Sequence, residues 1–325
     1  MSEKITKWGI MATGWIAERL ADAINSVADA ELTAVASRGI EKAETFGKRY
    51  GAKSFYGSYE ELAADPDIDI IYVASPTSIH FDNVKLCFEH GKNVLCEKSL
   101  TVTAPETAEL IQIAREKKLF FMEAMWMRCL PYYRKAVELV KAGKIGEIKT
   151  IRVDISKAQM YDPQNRFFNK ALGGGTLLDL GVYSVTFLTG FLGYDYKDLY
   201  SRGYIGETGV DRDEVIVFDY GNAYTSSVVG FDIEDDNRAV IVGTEGRIVT
   251  EPDFWYGHSF KLYDKWGNFV EEFSEPHLCN GYEYEVMEAQ KCMNAGLLES
   301  EIIPLADTLR IMEIMDEITA KINTK

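Results

Sequence analysis

Lys98 is the first side chain whose position suggests chemistry, because it follows Cys96 and Glu97 at the end of a short apolar run. A lysine that points into a cleft can bind a substrate oxygen or lower the pKa of a neighbouring acid. An ordinary ion pair between Glu97 and Lys98 fits the same residues equally well. The stretch alone leaves both interpretations open.

Asp179 and Tyr183 form a second candidate pair, four residues apart in the apolar segment Thr176–Phe191. Three consecutive glycines precede the segment, and if it is a helix both side chains share one face. A free tyrosine has a pKa of about 10, so it donates a proton near neutral pH only with a cation such as Lys98 close by. The competing interpretation is a core tyrosine in an apolar helix.

A turn near the start of the chain predicts a dinucleotide site. Residues 9–17 read GIMATGWIA and connect a short apolar strand to an amphipathic helix. Small residues in such a turn let the backbone approach a pyrophosphate at the helix N-terminus, although a purely structural turn has the same shape. Ala12 stands where the fingerprint has a glycine. The predicted cofactor contacts are Ala12, Thr13, Gly14, Trp15 and Ile16.

The end of the second strand predicts which dinucleotide binds. An NAD site usually has an Asp or Glu here for the ribose 2′-hydroxyl, whereas this chain has Ser37 and Arg38, with Lys42 one helical turn later. A hydroxyl and a guanidinium suit a 2′-phosphate. The residues therefore favour NADP(H) over NAD(H), and the alternative is an exposed arginine on a loop.

The loop after the apolar strand Ile68–Ala74 is a further candidate cofactor contact. Ser75, Pro76 and Thr77 end the strand, and His80 follows. Loops at the carboxyl edge of a parallel sheet are where ligands bind. The sequence leaves both a structural and a functional role open for His80.

The pattern of apolar residues predicts an α/β fold in two domains. Strands and helices alternate up to about Ala124, which predicts an N-terminal Rossmann domain with a doubly wound parallel sheet over residues 1–124. A two-residue period then begins near Ile148. Residues 125–325 are therefore predicted to form an α+β domain with a large, mainly antiparallel open sheet.

Composition excludes several classes of partner. With 35 Lys and Arg against 51 Asp and Glu, the net charge of −16 disfavours nucleic acid and anionic membranes. The sequence shows neither a signal peptide nor an apolar run of about 18 residues. Five widely spaced cysteines predict reduced thiols, no metal site and a cytoplasmic location.

Taken together, the motifs resemble those of the glucose–fructose oxidoreductase / inositol dehydrogenase (Gfo/Idh/MocA) family. The resemblance covers nearly the whole chain and is greatest for the branch of dimeric dihydrodiol dehydrogenases and NADP-dependent xylose dehydrogenases. The stretches that carry it are the turn near Gly14, Ser37-Arg38, Tyr59–Leu62, Ser75-Pro76-Thr77 with His80, Leu95–Lys98, Met122–Trp126 and Gly173–Tyr183.

The resemblance implies roles for individual residues. Glu97 would contact a ribose, Lys98 would be the catalytic lysine, and Tyr183 the acid/base assisted by Asp179. Ser99 replaces the proline that follows this lysine in the family, and Ala12 replaces a glycine. The residues implied to shape the substrate pocket are Trp126, Arg128 and Arg166.

The predicted activity is therefore hydride transfer between NADP(H), or less favourably NAD(H), and a CH–OH or carbonyl group of a sugar, polyol or vicinal diol. The resemblance also implies a homodimer or higher homo-oligomer formed through the C-terminal sheet. The competing hypothesis is a non-catalytic, cofactor-sensing protein of the same fold.

Overall fold

The computed structural model describes residues 5–322. The chain forms two compact units. The first extends to Trp126 and also includes His277–Leu309, and the second contains Met127–Pro276 and the residues from Arg310 onward. The domain division at residue 124 stays a prediction, and the structure adds that a segment near the C-terminus belongs to the first unit.

The structure has these elements among the described residues. The strands are β1 (Thr6–Met11), β2 (Ala30–Ala36), β3 (Ser54–Tyr56), β4 (Ile70–Val73), β5 (Asn93–Glu97), β6 (Phe121–Ala124), β7 (Ile148–Val153), β8 (Ile155–Ser156), β9 (Asp198–Ile205), β10 (Asp211–Asp219), β11 (Tyr224–Gly230), β12 (Ala239–Gly243), β13 (Gly246–Thr250), β14 (Ser259–Asp264) and β15 (Phe269–Ser274). The helices are α1 (Trp15–Ser26), α2 (Ile40–Tyr50), α3 (Tyr59–Ala64), α4 (His80–Glu89), α5 (Ala104–Lys117), α6 (Pro131–Lys141), α7 (Val182–Leu192), α8 (Glu283–Asn294) and α9 (Leu305–Ile322).

The first unit contains a six-stranded sheet in the order β3-β2-β1-β4-β5-β6. Every neighbouring pair is parallel. All four residues of β4 are buried, as expected for a strand covered on both faces. The strand order reverses direction between β1 and β4, and ligands of such sheets bind at the carboxyl edge beside this point. The predicted parallel, doubly wound sheet is confirmed.

Helix α8 joins the first unit through buried polar contacts with the start of the chain. The indole Nε1 of Trp8 donates to Gln290 Oε1 at 3.0 Å, and both residues are buried. Asn280 Nδ2 donates to the carbonyl of Arg19 in α1 at 2.8 Å. The Glu283 carboxylate accepts the N–H groups of residues 279–281 and so holds the loop that leads into the helix.

The second unit contains a nine-stranded sheet in which β15-β14-β13-β12-β7-β11-β10-β9 are neighbours and β8 pairs with β11. Strand β11 pairs in parallel with β7 and β8, and all other pairs are antiparallel. The predicted large, mainly antiparallel sheet is therefore confirmed. Its buried face carries Ile216 and Phe218 on β10, whereas Val215 on the other face is exposed.

Three elements were not predicted from the sequence. Strand β3 has only three residues, all half-buried. Helix α3 has six, and a capping box between Ser58 and Glu61 starts it. Strand β9 alternates between buried residues and exposed ones such as Tyr200. Short elements and apolar residues on an exposed face give weak periodic signals.

One helical stretch of the described residues, Lys170–Leu192, is long and apolar enough to span a membrane. Its most apolar window is 72% buried inside the protein, as in a core helix of a globular domain.

Candidate active site

The turn after β1 has the backbone shape that a pyrophosphate site requires. Ala12 has a φ of 81°, a conformation that glycine adopts readily and alanine rarely. Its N–H donates to the carbonyl of Ala36 at 3.0 Å, which fixes the turn against β2. Gly14 is exposed at the start of α1, and a methyl group on it would meet no described atom within 4 Å. The alanine therefore preserves the glycine-like turn, and the open helix N-terminus fits a phosphate.

The end of β2 presents cationic side chains beside this turn. Ser37 is buried and lies 3.4 Å from the hydroxyl of Thr13, whereas Arg38 and Lys42 are exposed. The ring of Tyr59 lies near Arg38: burial raises the pKa of Tyr59, and the positive charge of Arg38 partly offsets this rise. The arrangement fits a phosphorylated ribose. The sequence did not indicate that Tyr59 lies next to Arg38.

His80 ties two loops of the carboxyl edge together. Its ring is buried, with Nε2 2.7 Å from the carbonyl oxygen of Ser75 and Nδ1 3.1 Å from that of Ser99. Burial lowers the pKa of His80, while hydrogen bonds to these carbonyls favour the protonated ring. The contacts support the structural interpretation of His80. Its contact with a cofactor stays a prediction, as do those of Ser75, Pro76 and Thr77.

The segment that carries Lys98 is held by buried carboxyl groups. Tyr72 Oη donates to Glu97 Oε1, and Glu97 Oε2 accepts the backbone N–H of Lys98 at 3.2 Å. The Lys98–Ser99 peptide bond is cis. Two residues on, the N–H of Leu100 donates to buried Glu123 at 3.2 Å. Lys98 itself is half-buried at the end of β5.

Glu285 on α8 is a buried acid that sequence patterns did not indicate. Its side chain is inaccessible to solvent, and neither carboxyl oxygen has a hydrogen-bond partner. Burial and the nearby negative charge of Glu97 raise the pKa of Glu285 well above its ordinary value. Burial without a hydrogen-bond partner therefore favours the protonated form of Glu285, whereas Glu97 accepts hydrogen bonds from Tyr72 and from the N–H of Lys98.

In the second unit, Asp179 and Tyr183 lie at the start of α7. Leu177–Gly181 form one π-helical turn before the regular helix begins at Val182, so the predicted continuous helix is interrupted where Asp179 lies. Such turns occur frequently at functional sites. Tyr183 is 5% exposed, and its ring centre is 6.2 Å from that of Trp255.

The predicted pocket residues have different surroundings. Arg166 Nη1 donates to Asp179 Oδ1 at 3.0 Å, and its side chain is 57% exposed. Trp126 is buried in the first unit, with its ring stacked on Tyr282 at a centroid distance of 4.2 Å. Arg128 is half-buried in a short 3₁₀ turn.

Comparisons with known proteins identify the family. Residues 6–125 match the family described as "Oxidoreductase family, NAD-binding Rossmann fold", and residues 133–249 match the "GFO/IDH/MocA C-terminal domain". A trans-1,2-dihydrobenzene-1,2-diol dehydrogenase of Xenopus tropicalis is 37% identical over 96% of both chains. A D-xylose 1-dehydrogenase (NADP(+)) of Hypocrea jecorina is 36% identical over 96% of this chain and 90% of its own.

Solved structures share the fold. An aldose-aldose oxidoreductase of Caulobacter crescentus superposes with a TM-score of 0.87 at 22% identity, covering 98% of this chain and 97% of the other. A 3-ketoreductase of Actinomadura kijaniata, solved with NADP and TDP-benzene, has a TM-score of 0.87 at 23% identity over 98% of both chains.

The chain belongs to the Gfo/Idh/MocA family of oxidoreductases. Within it, the resemblance to the branch of dihydrodiol and xylose dehydrogenases is confirmed. The chain is an NAD(P)-dependent dehydrogenase or reductase, and the non-catalytic alternative is not favoured, because the named relatives are enzymes.

The protonated state of Glu285 predicts how stability depends on pH. The unfolded chain loses this proton near pH 4.5 while the folded chain keeps it, so the free energy of unfolding falls as pH rises above that value. Glu285→Gln removes this dependence. Its stability relative to wild type should increase by more than about 1 kcal/mol from about pH 5 to about pH 8 in urea unfolding. Glu89→Gln, at an exposed site on α4, is the control. A constant difference between Glu285→Gln and wild type would mean that Glu285 is ionised.

Proposed function

We propose that the protein is an NADP(H)-dependent enzyme that interconverts a CH–OH group and a carbonyl on a sugar, a polyol or a vicinal diol. The observation that carries the proposal is the full-length similarity to dehydrogenases of a dihydrodiol and of xylose, in a chain that keeps both Lys98 and Tyr183. The cationic end of β2 supports the phosphorylated cofactor.

The cofactor site is proposed on the first unit. The turn at Ala12–Ile16 receives the pyrophosphate, Arg38 and Lys42 bind the 2′-phosphate with Ser37, and Glu97 accepts a hydrogen bond from a ribose. When bound, the nicotinamide ring supplies or accepts a hydride. Because the protein carries a net charge of −16, these two exposed cations offset a general repulsion of an anionic ligand.

Lys98, Tyr183 and Asp179 are the proposed proton-handling groups. Tyr183 donates a proton to the substrate oxygen in reduction and removes it in oxidation. The Lys98 ammonium binds that oxygen and favours the tyrosinate. Asp179 orients the end of the π-turn, and its ion pair with Arg166 supports this role. Trp126, Arg128 and Arg166 are proposed to contact the substrate.

A homodimer through the nine-stranded sheet is part of the proposal. One face of the sheet carries exposed apolar side chains on three adjacent strands, and the paired residues Val215 and Val228 lie at its centre. Large exposed apolar patches mark protein interfaces. The face comprises Tyr200, Tyr204, Val215, Tyr224 and Val228.

A cytoplasmic location completes the proposal. All five cysteines are free thiols, and four of them are buried, which is typical of proteins in a reducing compartment.

The catalytic role of Lys98 predicts a separation of turnover from binding. Lys98→Met removes the ammonium and keeps most of the side-chain volume, so kcat should fall by about 10²- to 10⁴-fold in a panel of sugars and diols. The Kd for NADPH, measured by fluorescence titration, should hardly change. Lys117→Met, on the exposed end of α5, should behave as wild type. Wild-type turnover in Lys98→Met would refute the assignment.

The role of Arg38 predicts a change of cofactor preference. Arg38→Ala removes charge-assisted hydrogen bonds to the 2′-phosphate, so the Kd for NADP should rise by about 10- to 100-fold while that for NAD changes little. Both constants are measured by titration, and Lys48→Ala on α2 is the matched control. An equal rise in the Kd values for NADP and NAD would show that Arg38 does not bind the 2′-phosphate.

The proposed interface predicts a monomeric variant. Tyr200→Lys with Val228→Lys places two charges in the apolar face without touching the buried side of the sheet. Sedimentation velocity should then show a monomer, whereas Trp266→Lys, at an exposed turn beside β15, should leave the dimer intact. A dimer in the double variant would assign the interface elsewhere.

A further inference from the structure

A buried cluster in the second unit holds the start of the π-turn that carries Asp179. The hydroxyl of Thr176 lies 2.8 Å from Asp211 Oδ2 and 2.8 Å from Glu214 Oε2. Asp211 Oδ2 also accepts the backbone N–H of Leu177 at 2.6 Å. Two acids from β10 therefore meet one hydroxyl at the first residues of the turn.

Counting hydrogens determines the charge of this cluster. A threonine hydroxyl has one hydrogen, so it can donate to only one of the two carboxyl groups. The other contact at 2.8 Å is a hydrogen bond only if that carboxyl group is protonated and donates to Thr176. Asp211 already accepts a backbone N–H, which favours its ionised form. Glu214 is therefore the protonated partner.

The surroundings of Glu214 agree with this assignment. Its side chain is 2% exposed, and its second oxygen, Oε1, has no hydrogen-bond partner. Burial raises the pKa of Glu214 well above the ordinary value, and the negative charges of Asp211 and Asp213 raise it further. Asp213, one residue away, has a pKa raised to about 6 by burial and by Asp232.

A glycine just before the π-turn allows Asp211 to approach. Gly175 has a φ of 125°, and a methyl group on it would lie 2.4 Å from Asp211 Oδ1. The carbonyl of Gly175 accepts the N–H of Asp179 at 3.3 Å. The residues fixed by Asp211 are therefore hydrogen-bonded to the backbone of Asp179.

We propose that Thr176, ionised Asp211 and protonated Glu214 form a clamp that positions Asp179 and Tyr183 for proton transfer. Protonated Glu214 donates a hydrogen bond to the hydroxyl oxygen of Thr176, and the Thr176 hydroxyl donates to Asp211. Asp211 in turn accepts the N–H of Leu177. These three are positioning residues, since they act through the turn. The inference rests on the proposed function of Asp179 and Tyr183.

The first test compares Thr176→Val with Thr176→Ser. The valine has the same shape without the hydroxyl, so kcat should fall by about 10- to 100-fold, as expected for a small displacement of a catalytic group. The serine keeps the hydroxyl and should retain wild-type kcat. The Kd for NADPH should be unchanged in both variants. Equal kcat values for the valine variant and wild type would overturn the clamp.

A double-variant cycle separates positioning from general stability. In a Tyr183→Phe background the residual turnover no longer depends on the tyrosine, so Thr176→Val should reduce it much less than it reduces wild-type turnover. An equal reduction in both backgrounds would show that the cluster only stabilises the fold. Wild-type turnover in Tyr183→Phe alone would instead refute the proposed function.

The proton on Glu214 has its own test, which does not require activity. In a Glu285→Gln background, infrared spectra at neutral pH should contain a C=O stretching band of a buried carboxylic acid that is lost when Glu214→Gln is added. Exposed Glu89→Gln should leave the band unchanged, and Asp211→Asn should not remove it. Retention of the band when Glu214→Gln is added would overturn the assignment, even if the enzyme proves inactive with every substrate tried.

Discussion

A buried or half-buried carboxyl group that accepts backbone N–H groups is the interaction on which both halves of the proposed chemistry depend. Glu97 accepts the N–H of Lys98, and Glu123 accepts that of Leu100. In the second unit Asp211 accepts the N–H of Leu177. Burying a charge is unfavourable unless such donors compensate it, so each acid fixes its loop in one conformation. The loops that carry the reactive side chains are therefore held rigidly against the neighbouring strands.

The same requirement explains why the protonated form is favoured for some interior acids of this acidic protein. Glu285 and Glu214 are buried beside ionised carboxylates and lack the donors that those neighbours have. Of two acids that share a site, only one can ionise at moderate cost. The ionised member holds the backbone, and the neutral one fills the space beside it. Each proton kept on an interior acid makes the net charge less negative than the formal −16, which counts every Asp and Glu as ionised.

Periodic features of the sequence predicted the architecture well, because strand β4 and the alternating strands of the second unit repeat one pattern over several residues. Sites at strand ends, such as Arg38 and Lys98, followed from topology. The π-turn at Leu177 and the acids Glu214 and Glu285 did not, because they depend on contacts between residues distant in sequence. A glutamate in an amphipathic helix or strand has no local signal that distinguishes a buried acid from a solvated one.

The return of α8 to the first unit has a consequence for biosynthesis. Trp8 and its hydrogen-bond partner Gln290 are separated by 282 positions. At ribosomal rates of about 5 to 20 residues per second, the indole in β1 waits roughly 15 to 55 seconds for the amide that satisfies it. The nascent first unit is therefore incomplete while the whole second sheet is made. Chaperones would encounter this enzyme as an unfinished nucleotide-binding fold for most of its translation.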